Sequence, residues 1–363
     1  MKKNNTTVVF FELVKAGLWE GTDVNLNLAL VDKVDWERVY LLSEEQAVVG
    51  LVTAGIERLK NANFNLNINQ EQLLQMIGDV QIIEQTNKSM NKFIESLVER
   101  MRDADIYTLL VKGQGIAQCY ERPLWRASGD VDFLLSGDNY VKAKDFLIPL
   151  SSTVDSEGKY SKHQGLRIDS WEVEIQGSLR TGLSERLDKV IDSVHRDLFY
   201  GGNVRSWING KTHVFLPGVN NDVFLVFTHF LKHLYKEEGP CLRQLCDLCR
   251  LLWTYRKSLD EKLLEKRLKD AGIYSEWKAI AAVLVEYLGM PIESMPLYSA
   301  KKKWMKKANR VVVYILSANN KGRVHAAVSV FRLFPYNTLR FLPGILFEVN
   351  ILKVKERLLG TKV

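Results

Sequence analysis

"LLVKGQGIAQCYERPLWRASGDVDFLL", residues 109–135, is the stretch on which the fold turns. Val131, Phe133, Leu134 and Leu135 form an apolar run that predicts a buried strand. Residues two apart in a strand share a face, so Asp130 and Asp132 project together while Val131 and Phe133 point the other way. A carboxylate withdrawn from water without a partner is costly, and a second one beside it is worse. The pair therefore demands positive charge nearby.

A second acidic strand lies downstream in "WEVEIQGSL" (171–179). Trp171, Val173 and Ile175 make one face, and Glu172, Glu174 and Gln176 the other. If the two strands are neighbours, one of the two glutamates joins the aspartates. Three carboxylates that close do not all ionise unless a cation sits among them. Magnesium, or manganese in its place, suits such a cluster, because it takes oxygen ligands and is usually shared with substrate phosphates. Upstream, "VKGQG" ends one strand and opens a short helix, so its backbone N–H groups are available to a phosphate. Lys112 adds a point charge, Gly113 and Gly115 allow close approach, and Arg126 lies four residues before Asp130. Together these parts predict phosphoryl or nucleotidyl transfer.

The rest of the chain supplies the frame. "DWERVYLLSEEQAVVGLVTAGIERLK" (35–60) has helical spacing with few breakers, and a long amphipathic helix is predicted after "NANFNLNINQ". From about 106 to 216 strands and helices alternate. "GLRIDS" and "WEVEIQGSL" are expected to form a hairpin near Ser170, and "VRSWI" and "KTHVFL" another across Asn209-Gly210. "NYVKAKDFLIPL" (139–150) reads as a helix. Beyond 221 the pattern is helical again, with Asn221-Asp222 as a cap for the first helix.

Composition bounds the class. The 363 residues are 46% hydrophobic and 26% charged, as in an ordinary globular protein. No segment approaches the roughly 18 apolar residues of a spanning helix, and "VVFF" is too short for a signal-peptide core. Four cysteines in a chain this long do not read as a disulfide framework, so a cytoplasmic location is expected. The net charge of +7 is uneven: residues 301–363 hold 14 Lys and Arg against Glu348 and Glu356. An anionic membrane surface or RNA would be drawn to that C-terminal region, where "KKKWMKKANR" (301–310) offers Trp304 for stacking; a solvated helix face is the plainer reading.

These residues carry a family resemblance. "LLVKGQGIAQCYERPLWRASGDVDFLL" resembles the K-G…Y…R-x-x-G-D-[IV]-D signature of uncharacterised bacterial nucleotidyltransferases of the DNA polymerase β superfamily. "WEVEIQGSL" is similar to their following strand, "HFLKH…LRQLCDLCRLL" to their helical H-x-x-x-H and R-x-x-x-D segment, and "DWERVYLLSEEQAVVGLV" to their helical lead-in. The likeness spans most of residues 35–255. It implies an α+β fold, a nucleotidyltransferase-like mixed sheet over about 101–217, with helical regions at 1–100 and 218–363. It implies that Asp130 and Asp132 hold the metal with Glu174 as third carboxylate, these three carrying the catalysis, and that Lys112 and Gly113 stand at the phosphate turn; Gln114, Arg126, Gly129 and Arg243 are further expected to meet the nucleoside triphosphate. Two features depart from the pattern: the turn is Lys-Gly-Gln rather than Gly-Gly or Gly-Ser, and Gln176 replaces a histidine. A non-catalytic nucleotide- or partner-binding homologue is the alternative reading.

Two other groupings stand out. His229 and His233, with Cys246 and Cys249, have the types and spacings of a zinc site, although they also suit a cleft wall or a core. Arg243 and Asp247 are spaced as an i,i+4 ion pair. The acceptor hydroxyl (protein, sugar, small molecule or RNA) is not chosen by any residue pattern.

Overall fold

The structure, a computed structural model, describes residues 5–20, 34–62, 64, 66–157, 162–236, 239–317 and 323–345. Strands β1 (Leu109–Val111), β2 (Asp130–Leu134), β3 (Thr153–Val154), β4 (His163–Ile168) and β5 (Trp171–Gln176) form one mixed sheet in the order β1-β2-β5-β4-β3. β2 and β5 run parallel, and the other neighbours are antiparallel. Both expected hairpins are present. β4 turns into β5 at Asp169-Ser170, and β6 (Val204–Asn209) turns into β7 (Thr212–Pro217) at Gly210-Lys211. Gly210 has φ +59°, and a Cβ there would collide with the Glu95 carboxylate.

The alternation in the strands divides the interior. Val131, Phe133, Val173 and Ile175 point into a core shared with α4 (Gln70–Asp103) and α6 (Gly137–Leu147), where Met90, Ile94, Leu97 and Leu147 are buried. The opposite face, which carries the carboxylates, turns towards a larger helical core. That core joins α1 (Asn5–Leu18) and α3 (Val49–Asn61) to α8 (Val219–Lys236), α9 (Leu242–Thr254) and α11 (Tyr274–Leu288). N-terminal and C-terminal helices thus share one apolar interior. Phe224, Phe227 and Phe230 of α8 are at most 1% exposed, and burying each contributes roughly 1.5–3 kcal/mol. α1 and α3 approach so closely that a Cβ on Gly55 would strike the Leu13 carbonyl.

The remaining helices close the body: α2 (Trp36–Glu45), α5 (Gly113–Ala117), α7 (Glu185–Tyr200), α10 (Glu261–Ala271), α12 (Lys302–Ile315) and α13 (Arg323–Leu333). No helix among the described residues is long and apolar enough to cross a membrane.

Two expectations are corrected. The helical stretch 35–60 is two helices, α2 and α3, broken where Ala47 takes φ +54° and the chain turns. Asn221 and Asp222 do not cap α8 but lie inside its first turn: Asp222 pairs with Arg205, and Asn221 hydrogen-bonds Asp197 and Arg267. Trp304 is half-buried, packing against the helical core with Lys303 and Lys307 over its ring. Leu333, Phe334 and Phe341 are buried, whereas Tyr336, Leu339 and Leu342 are exposed. The last basic stretch, 346–363, lies outside the described residues.

Candidate active site

β2 and β5 pair in parallel with Asp130 opposite Glu172 and Asp132 opposite Glu174. Their carboxylates stand on one face, at the edge of the helical core. Oxygen atoms of Asp130, Asp132 and Glu174 all lie within 4.8 Å of one another, forming the one group of three or more potential metal ligands found among the described residues. Glu172 is drawn off to Arg167, 2.5 Å away on β4, so the third carboxylate is Glu174.

Each member has a different environment. Asp132 is only 2% exposed, and burial pushes its carboxyl up to about 7, with Asp130 and Glu174 adding to the effect and Lys112 opposing it. Lys112 Nζ stands 3.0 Å from Asp132 Oδ1. Burial works against the lysine's charge, but Asp132, Glu174 and Asp130 outweigh it and raise its pKa, so it stays protonated. Burial also acts upward on Glu174, yet the His163 hydrogen bond and the charge of Lys112 prevail and bring it down to about 2. His163 Nε2 lies 2.9 Å from Glu174 Oε2. Gln176 Nε2 donates to Asp132 Oδ1 at 2.6 Å and to Glu174 Oε2 at 3.1 Å. Asp130 is exposed and makes no side-chain hydrogen bond or ion pair among the described residues. Three oxygen donors, one of them open to solvent, fit a hard divalent cation.

The cluster opens into a cavity of about 1400 Å³. Its rim at the sheet includes Gly113 and Gly129, and Lys112 at φ +59° turns the chain sharply into α5. From α8 and α9 come His229, Lys232, His233, Lys236 and Arg243. The carboxylate cluster thus lies at the sheet, while α8 and α9 bring basic residues together with Asp222 and Asp247. A volume of this size exceeds that of ordinary small-ligand pockets of about 300–1,000 Å³.

The sequence expectations fare unevenly here. Lys112, Gly113, Gly129 and Arg243 border the cavity beside the three carboxylates. Gln114 does not: it is 1% exposed, and its side chain turns inward to Asn87 and Ser128. Arg126 borders the cavity, but Asp247 holds its guanidinium in a buried two-point pair, Nε–Oδ1 and Nη2–Oδ2 both 2.7 Å. Its charge is thus already met. The expected Arg243–Asp247 pair is absent among the described residues, because Asp247 is engaged by Arg126 and by the Tyr120 hydroxyl at 2.7 Å. Arg243 instead donates from Nη1 to the Ala127 carbonyl at 2.8 Å.

The zinc arrangement is not formed. His229 and His233 face each other, Nε2 to Nε2 at 3.1 Å, on the cavity wall. Cys246 and Cys249 are fully buried in the helical core, which pushes their thiols up and disfavours the thiolate that zinc needs. Burial, followed by Lys112, His233, Lys232 and Arg243, holds His229 well below the ordinary histidine range, so its ring is neutral. His163 escaped sequence reasoning altogether. Only the β4–β5 register brings a residue eleven positions away beside Glu174, and a histidine opening a strand gives no warning of it.

The sequence model of the family described as uncharacterised nucleotidyltransferase matches residues 32–289. The chain belongs to that family. The match spans the α2–α11 helices, the sheet and the carboxylate cluster. No curated protein and no solved structure matches the chain significantly. Membership of this nucleotidyltransferase family fits the cluster: paired aspartates on β2, a third carboxylate on β5, and a lysine–glycine turn beside them.

Proposed function

We propose that the protein transfers a nucleoside monophosphate from a nucleoside triphosphate to an acceptor hydroxyl, the acceptor oxygen bonding the α-phosphorus as pyrophosphate leaves, with magnesium or manganese held by Asp130, Asp132 and Glu174. The observation that carries this reading is the convergence of three carboxylates on a cavity to which α8 and α9 also bring Lys232, Lys236 and Arg243. The bound cation would neutralise phosphate charge and lower the pKa of the attacking hydroxyl. Lys112 keeps buried Asp132 partly compensated until ligands arrive, and then stands beside the phosphates. Lys232, Lys236 and Arg243 offer charge to the far phosphates, and the Gly113 turn lets them come close to the backbone. Glu174 would complete the cation site and help take the acceptor's proton; held down to about 2 it is a weak base, so the acidity of the hydroxyl would be supplied chiefly by the bound cation. The cavity has volume for an acceptor beside the nucleotide; a protein side chain, a sugar, a small alcohol and an RNA end all supply a hydroxyl of the required kind.

The test incubates the protein with each α-labelled nucleoside triphosphate, magnesium and a cell extract. Label is expected to reach an acceptor with wild type and not with Asp132→Asn. Absence of transfer together with absence of magnesium-dependent nucleotide binding would overturn the enzyme reading. Binding without transfer would favour the non-catalytic homologue.

A further inference from the structure

Two of the three carboxylates are held by their side chains, and the third is not. Asp132 is fixed by Lys112 and Gln176, and Glu174 by Gln176 and His163. Asp130 has no such partner among the described residues; it opens β2, where pairing opposite Glu172 holds one side and the backbone entering the strand sets the other. That backbone, residues 124–129, belongs to no strand and has no ladder to fix it.

Side chains from elsewhere hold it instead. Asn87, 1% exposed on α4, donates from Nδ2 to the Leu124 carbonyl at 2.7 Å and to the Arg126 carbonyl at 2.8 Å. With both amide hydrogens committed, its Oδ1 accepts from Gln114 Nε2 at 2.6 Å. Gln114 Nε2 also reaches Ser128 Oγ at 3.1 Å, and Arg126 Nη1 meets the same oxygen at 2.8 Å. The orientation of every amide is therefore determined by its neighbour. The network leaves Gln114 Oε1 buried without a partner, an arrangement that costs about 1–3 kcal/mol. Stability alone does not favour it, whereas a requirement for a fixed approach to Asp130 does.

We propose that Asn87, acting with Gln114 through Ser128, is a positioning residue that sets Asp130 in the cation site. The inference rests on the reading of the carboxylates as a divalent-cation site. It makes the long helix α4, none of whose residues lines the cavity, part of the site's geometry. Groups that orient metal ligands typically matter 10–100-fold in metal affinity.

The test titrates the full-length, chelator-treated protein with Mn²⁺ and reads free Mn²⁺ by electron paramagnetic resonance. Wild type should bind, and Asp130→Asn should bind far more weakly. Asn87→Leu should weaken binding at least tenfold, and Ser128→Ala, a small change with little risk to folding, about fivefold. Asn337→Leu removes a buried amide that bonds Gly272 O and Glu276 on the helical side. It should lower the melting temperature while leaving Mn²⁺ affinity unchanged. Wild-type affinity in both Asn87→Leu and Ser128→Ala would overturn the positioning role. Failure of wild type itself to bind Mn²⁺ would overturn the underlying cation site, and the positioning role with it.

Discussion

Asp132 and Glu174 face each other across the parallel β2–β5 pairing, and a single nitrogen, Gln176 Nε2, donates to both. The two carboxylates nonetheless sit far apart in acidity, one pushed up to about 7 and the other down to about 2.

A pH dependence follows from that separation. Asp132 binds its proton more tightly folded than unfolded, since its ordinary value is 3.8. Its contribution to stability is therefore complete below about pH 4 and is lost as pH rises through about 7. Glu174 acts oppositely, but only below its ordinary 4.5, as pH falls towards 2. Between pH 5 and 8 the metal-free protein should lose melting temperature, and magnesium should restore more of it at pH 8 than at pH 5. Calorimetric scans at both pH values check this; a magnesium effect independent of pH would contradict it.

Lys112 is the nearest counter-charge to buried Asp132. Lys112→Met should cost roughly 2 kcal/mol of metal-free stability, less than the ~3–5 kcal/mol of a fully buried broken pair, because Lys112 keeps some contact with water. Urea unfolding with and without magnesium measures it. The deficit should shrink when the cation takes over the lysine's role.

Gln176 is neutral where a fourth carboxylate would fit. Gln176→Glu should lower metal-free stability by about 2 kcal/mol, since a shared donor is replaced by a like charge. It should also steepen the dependence of melting temperature on Mg²⁺ concentration. A variant as stable as wild type at pH 8 without metal would contradict this account of the amide.

The Arg126–Asp247 pair is a separate matter of structure. Arg126→Leu or Asp247→Leu alone should destabilise by about 3 kcal/mol, because each strands a buried charge. The double variant should recover much of the loss in a double-mutant cycle. Strict additivity would mean that the two do not depend on each other.

How much of this was legible depended on the range over which residues interact. The period-two alternation in "GDVDFLL" and "WEVEIQ" declared both strands and their polar faces, because side-chain direction in a strand is local. Asn209-Gly210 declared its hairpin for the same reason. The parallel pairing that sets Glu174 opposite Asp132 joins segments some forty residues apart, and no local pattern encodes it. Asp247 was read with Arg243, its helical neighbour, but was taken by Arg126 from a distant loop. Asn87 gave no signal at all: an asparagine in a polar helix is ordinary until a loop folds over it.

The most direct test is a crystal grown with Mn²⁺ and a non-hydrolysable nucleoside triphosphate, measured at a wavelength where manganese scatters anomalously. The account predicts an anomalous peak bonded to oxygens of Asp130, Asp132 and Glu174, with the triphosphate reaching Lys112 and the Gly113 turn. Nucleotide bound elsewhere, with no peak among these three carboxylates, would contradict it.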